Sequence, residues 1–128
     1  MTELAREHVL DVDDDPAVRA LVTKLLERDN FDVEVARYGA QALSKIEEDE
    51  RYAVVVLDLM MPKMSGFEVL NRLKERHPPM VKCFVAMSAI GRPLRGADHD
   101  EICAVVEKPF DLKAVTAAVR ECIRGHEE

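Results

Sequence analysis

The sequence predicts an α/β fold: a doubly wound, five-stranded parallel sheet with helices on both faces. Three observations predict it. Short apolar, β-branched runs alternate with helical apolar stripes from one end of the chain to the other. The run at residues 53–58, Ala-Val-Val-Val-Leu-Asp, is apolar without alternation, as a central strand buried on both faces must be. Four of the five runs end in polar side chains, Asp13 and Asp14, Asp58, Ser88 and Lys108, which right-handed βαβ crossovers bring to one edge of the sheet.

Taken in order, residues 7–12 form the first strand, interrupted by Asp11 and followed by the triple acid Asp13-Asp14-Asp15. Asp15 as N-cap with Pro16 at the first helical position starts a helix. Its apolar stripe, Val18, Leu21, Val22, Leu25 and Leu26, continues toward Asn30. Residues 31–36 alternate Phe31, Val33 and Val35 with Asp32, Glu34 and Ala36, the pattern of a less buried strand at the sheet's edge. Gly39 breaks it, and Ala42, Leu43 and Ile46 mark a second helix toward Glu50. After the central strand, Phe67, Val69, Leu70 and Leu73 give a third helix that stops before Pro78-Pro79, because proline removes a donor and biases its predecessor away from helix. Residues 80–87 are a fourth strand ending at Ser88-Ala89. Residues 89–101 carry Gly91, Pro93 and Gly96 with Ile90 and Leu94 as the large apolar residues, so no convincing amphipathic helix can be drawn there. A fifth strand at 102–106 ends in Glu107-Lys108-Pro109-Phe110. Asp111 then caps a last helix with Leu112, Val115, Ala118, Val119 and Cys122 inward as far as Gly125.

At 128 residues the chain is expected to be one domain, residues 1–128, with a substantial core. Its 25 acidic and 18 basic residues give a formal charge of −7, which repels a nucleic-acid backbone and excludes direct binding to it. The amino terminus lacks a secretory pattern and no run approaches the ~20 apolar residues of a membrane span, so a cytoplasmic protein without a membrane partner is expected. Cys83, Cys103 and Cys122 are odd in number, widely spaced and set in apolar patterns; buried, reduced thiols are expected.

Crowding carboxylates at one strand edge has a chemical consequence. Two unit charges ~4 Å apart repel by roughly 4 kcal/mol at an effective dielectric of 20, so such a cluster takes up protons or recruits a cation. Oxygen ligands without sulfur or imidazole favour Mg²⁺, which would let an ionised Asp58 meet a phosphoryl group. Lys108 would neutralise charge on that group and Ser88 would donate a hydrogen bond to it. A rival reading starts from Leu10-Asp11-Val12-Asp13, similar to the Asp-x-Asp motif of haloacid-dehalogenase-type phosphatases, with Asp11 as nucleophile beside Asp13. The small size and the lack of an acidic pair after Lys108 weigh against it. No Gly-x-Gly-x-x-Gly loop supports a dinucleotide site.

Four motifs, residues 9–16 (Val-Leu-Asp-Val-Asp-Asp-Asp-Pro), 56–66 (Val-Leu-Asp-Leu-Met-Met-Pro-Lys-Met-Ser-Gly), 87–89 (Met-Ser-Ala) and 107–110 (Glu-Lys-Pro-Phe), together resemble the receiver domain of bacterial two-component response regulators. The resemblance implies a flavodoxin-like sheet of strand order 2-1-3-4-5 and a phosphoacceptor at Asp58. It further implies Mg²⁺ held by Asp14, Asp58 and the Met60 main-chain carbonyl, with Asp13 acting mainly through water. Ser88 becomes the switch hydroxyl, Lys108 the phosphate partner, and Pro109 the site of a cis bond. The implied partner is a sensor histidine kinase or histidine phosphotransfer protein, with a downstream protein target and room for a phosphorylation-linked dimer. Catalysis would be confined to the chain's own phosphorylation and dephosphorylation. Two features depart from the family: Val105 stands where an aromatic residue is usual, and the helix-poor stretch 89–101 implies a shortened or irregular fourth helix. A phosphorylation-independent pseudo-receiver that only docks partners is the remaining alternative, disfavoured by the intact Asp13, Asp14, Asp58, Ser88 and Lys108.

Overall fold

The computed structural model describes residues 6–48, 52–76, 84–89, 103–108 and 112–127. Along them run β1 (His8–Val12), α1 (Pro16–Arg28), β2 (Asp32–Ala36), α2 (Gly39–Glu48), β3 (Tyr52–Asp58), α3 (Gly66–Arg76), β4 (Phe84–Ala89), β5 (Ala104–Lys108) and the C-terminal helix α4 (Leu112–Glu127). All strand pairings are parallel and the order is β2-β1-β3-β4-β5. The flavodoxin-like order is therefore observed, with β3 at the centre and β2 at an edge.

Alternation along the strands sorts the core into two layers. Leu10 and Val12 of β1 and Val55 and Leu57 of β3 face α2 and α3, where they meet Ala42, Leu43, Ile46, Val69, Leu70 and Leu73. Val9, Val54 and Val56 face the other way, onto Val22 and Leu26 of α1 and Val115 and Val119 of α4. Val54 through Leu57 are fully buried, which is why this run shows no polar alternation. Val105 is partly buried and packs against the layer on the α2 and α3 side.

Local signals explain the helix starts. The Asp15 carboxylate accepts from the Ala17 and Val18 N–H groups at 2.9 and 3.3 Å, with Pro16 at the first helical position. Ser65 and Glu68 exchange bonds at the start of α3: Glu68 N–H donates to Ser65 Oγ at 3.2 Å, and Ser65 N–H to Glu68 Oε1 at 3.3 Å. No helix among the described residues is long and apolar enough to cross a membrane.

One expectation is overturned. Cys103 and Cys122 form a disulfide, with Cα atoms 5.5 Å apart, in place of two reduced thiols. The topology accounts for it: α4 runs back across the sheet from the carboxyl edge, so its later turns reach the amino end of β5, where Cys103 stands. Nineteen residues of sequence separation hid that proximity. Cys83, Pro109 and its expected cis bond, and the stretch 89–101 beyond Ala89 lie outside the described residues. The expected shortened fourth helix falls in that stretch.

Candidate functional site

The carboxyl ends of β1 and β3 are adjacent, and their register brings the acids together. Val12 pairs with Leu57, so Asp13 and Asp58 follow as the next residues of neighbouring strands. One carboxylate oxygen from each of Asp13, Asp14 and Asp58 lies within 4.8 Å of the others. Asp13 is fully buried and Asp58 is 2% exposed, while Asp14 is exposed and opens the cluster to solvent.

Hydrogen bonds involving the main chain hold Asp13 and Asp58. The Asp13 N–H donates to the Ala36 carbonyl at 3.2 Å, so the edge strand β2, which offers no side chain to the cluster, contributes its backbone. Asp15 N–H donates to Asp13 Oδ1 at 2.9 Å, and Arg19 Nη1 donates to the Asp13 carbonyl at 2.8 Å. Neither Ala36 nor Arg19 was visible as a support in the sequence, because both reach the site only through folding. Met60 N–H donates to Asp58 Oδ1 at 3.0 Å, and Leu59 N–H continues the β3–β4 ladder to the Met87 carbonyl at 2.9 Å. The loop after Asp58 then returns closely enough for Gly66 N–H to donate to the Leu59 carbonyl at 3.2 Å.

Gly66 is required by that return. A Cβ built there would lie 2.5 Å from the Asp58 carbonyl oxygen and 2.7 Å from Leu59 Cα.

Ser88 and Lys108 are placed by register. Asp58 pairs with Met87, Ser88 with Glu107 and Ala89 with Lys108, so both residues sit at the same sheet edge as the acids. Their side chains lie outside the described atoms. Asp11 does not join the cluster. It is fully buried mid-strand, facing the α1 layer, where Thr23 Oγ1 donates to its Oδ2 at 2.8 Å. A carboxylate enclosed in this way is poorly placed as the nucleophile of a phosphatase.

The donor set is all oxygen, fits a hard divalent cation, and leaves an open side for water or a phosphate oxygen.

Comparison with known proteins agrees with this arrangement. The profile of the response regulator receiver domain matches residues 9–120. The CpxR homolog of Haemophilus influenzae, named a transcriptional regulatory protein, is 33% identical over 91% of this chain and 50% of its own length. The DNA-binding response regulator MtrA of Mycolicibacterium smegmatis is 35% identical over 96% of this chain and 53% of its own. The chain thus spans about half the length of these relatives. Among solved structures, chemotaxis protein CheY4 of Vibrio cholerae superposes with a TM-score of 0.81 at 24% identity, covering 92% of this chain and 99% of that one, and so supports the fold. With the match covering most of its length and the acids gathered at the carboxyl edge of a 2-1-3-4-5 sheet, this chain belongs to the response regulator receiver domain family.

Proposed function

We propose that the chain accepts a phosphoryl group on Asp58 in the presence of Mg²⁺, from a phosphohistidine of a sensor kinase or histidine phosphotransfer protein. The observation that carries this is the trio Asp13, Asp14 and Asp58, with the acceptor at the end of the central strand. Those three carboxylates and the Met60 main-chain carbonyl would hold the ion. A bound Mg²⁺ supplies the positive charge that lets carboxylates and phosphoryl oxygens approach one another.

The chain's own residues do the rest. The Met60 N–H fixes the Asp58 carboxylate by bonding one of its oxygens. An Asp58 oxygen attacks phosphorus, the P–N bond to the donor imidazole breaks, and the imidazole leaves as it takes up a proton. Ser88 donates a hydrogen bond to a phosphoryl oxygen and Lys108 offsets its charge. The chain then carries an aspartyl phosphate and acts as a cytoplasmic relay, catalysing only its own phosphorylation and dephosphorylation. With a net charge of −7, these 128 residues are not the part of a regulator that would neutralise DNA phosphates. Output passes to a protein target without the usual aromatic relay, since Val105 takes that place.

Incubation with a small phosphodonor, with and without Mg²⁺, followed by mass-spectrometric mapping, tests the proposal. Labelling is expected at Asp58, dependent on Mg²⁺ and lost in Asp58→Asn. Undiminished labelling of that variant would refute it and return attention to Asp11.

A further inference from the structure

Beside the acidic cluster, between the loop after β3, the first turn of α2 and the side of α3, runs a groove of about 640 Å³. Asp14 of the cluster is among its lining residues. Three cations line it: Arg37 just after β2, Lys63 in the loop after β3, and Arg72 on α3. None of the three forms an ion pair among the described residues, although the chain as a whole is strongly acidic. Two acids, Asp14 and Glu68, share the lining, and Glu68 also accepts from the Ser65 N–H at the start of α3. The apolar part of the lining includes Tyr38, a residue that is 53% exposed. An exposed aromatic residue and three cations, in excess over the two carboxylates Asp14 and Glu68 that share the lining, are not explained by the phosphoacceptor chemistry of Asp58.

We propose that this groove binds a small organic phosphate with a planar ring, of the nucleoside monophosphate class. Two guanidinium groups and an ammonium suit a phosphate dianion, because arginine presents paired donors to two oxygens at once. The Tyr38 ring offers a face on which a base stacks, with arginine adding to stacking on the same ligand. Size decides between this ligand and a protein partner. The groove falls within the roughly 300 to 1,000 Å³ of small-molecule sites, whereas a protein partner of ordinary affinity needs about 800 Å² of contact surface. The proposal goes beyond phosphoryl transfer and does not depend on it.

Titrating AMP into the Mg²⁺-containing protein, followed by amide chemical shifts and calorimetry, tests it. Saturable binding weaker than ~0.1 mM is expected for a shallow groove, with shifts centred on residues 37–40, 63, 64 and 72. Adenosine alone and inorganic phosphate alone should each bind at least about tenfold more weakly, since each forfeits one of the two contacts. The double variant Arg37→Ala, Arg72→Ala and the single variant Tyr38→Ala should each lose about tenfold or more. Retained circular dichroism and Asp58 labelling in those variants would show that they fold. Asp58→Asn should bind AMP as the parent does, which separates this site from the phosphoacceptor. Absence of saturable binding by AMP, GMP and CMP overturns the proposal, as does AMP binding unaffected by the arginine substitutions. Preferential binding of a Glu/Asp-rich hexapeptide at the same residues also overturns it, and reassigns the groove to a protein partner.

Discussion

Asp11 and Asp58 lie on neighbouring strands, and what separates their roles is their surroundings. Asp11 is enclosed against α1 and bonded by Thr23, whereas Asp58 ends its strand beside an exposed acid. Removing one hydrogen-bond partner from a buried carboxylate costs about 1 to 3 kcal/mol, so Thr23→Val should lower stability by that amount. Thr23→Ser, which keeps the hydroxyl, should cost much less; denaturant melts of the two variants give the comparison. Phosphoryl labelling of folded Thr23→Val should persist, because its hydroxyl supports the core and not the acceptor. Gly66 is the residue-scale constraint on the loop after Asp58. With backbone 2.5 Å from where a Cβ would stand, Gly66→Ala has to push apart the Asp58 carbonyl and the first turn of α3. Overpacking of this kind costs ~1 to 3 kcal/mol, and here it displaces Asp58, the proposed acceptor. Gly66→Ala is therefore expected to slow Asp58 labelling as well as lower the unfolding midpoint. A stability loss with unchanged labelling kinetics would show that the contact does not position the acceptor.

At the scale of elements, an ion pair and a disulfide tie α4 to its surroundings. Arg120 Nε donates to Asp29 Oδ2 at 2.7 Å, joining α4 to the end of α1. Both side chains are partly exposed, so that pair is worth at most about 1 kcal/mol. The Cys103–Cys122 bond is the stronger tie. Closing a loop of this length removes unfolded-state entropy equivalent to about 3 kcal/mol on the chain-entropy account. Reduction, or the Cys122→Ser substitution, should accordingly lower the melting temperature well beyond the effect of Arg120→Ala. Thiol titration of the denatured protein, before and after reduction, checks that the bond is the cause: two further thiols should appear.

For the molecule as a whole, the acidic cluster sets a balance between stability and ligand. Three carboxylates held within 4.8 Å repel one another in the folded chain more than in the unfolded one. A cation that binds only the folded state offsets this, by about 1 to 3 kcal/mol when it is present at roughly ten to a hundred times its dissociation constant. Thermal melts should therefore rise by several degrees on adding Mg²⁺, and the increment should shrink in Asp14→Asn. An equal increment in that variant would mean that Mg²⁺ acts elsewhere on this acidic surface. Chelation should return the parent protein to its lower melting point.

Much of this molecule follows from local chemistry that a sequence displays. Period-two and period-3.6 patterns mark the elements, Asp15-Pro16 marks the start of α1, and unbroken burial of Val54 to Leu57 marks the centre of the sheet. Strand ends with polar side chains then identify Asp13, Asp14 and Asp58, because parallel strands share one carboxyl edge. Tertiary structure decided what depends on distance between remote residues. Cys103 meets Cys122 because a returning helix crosses the sheet, and Ala36 supports Asp13 because an edge strand lies beside it. Arg37, Lys63 and Arg72 share a groove because α2 and α3 pack on the same face. Spacing along a chain carries the period of one element, but the proximity of two elements is set by how their apolar faces are buried together.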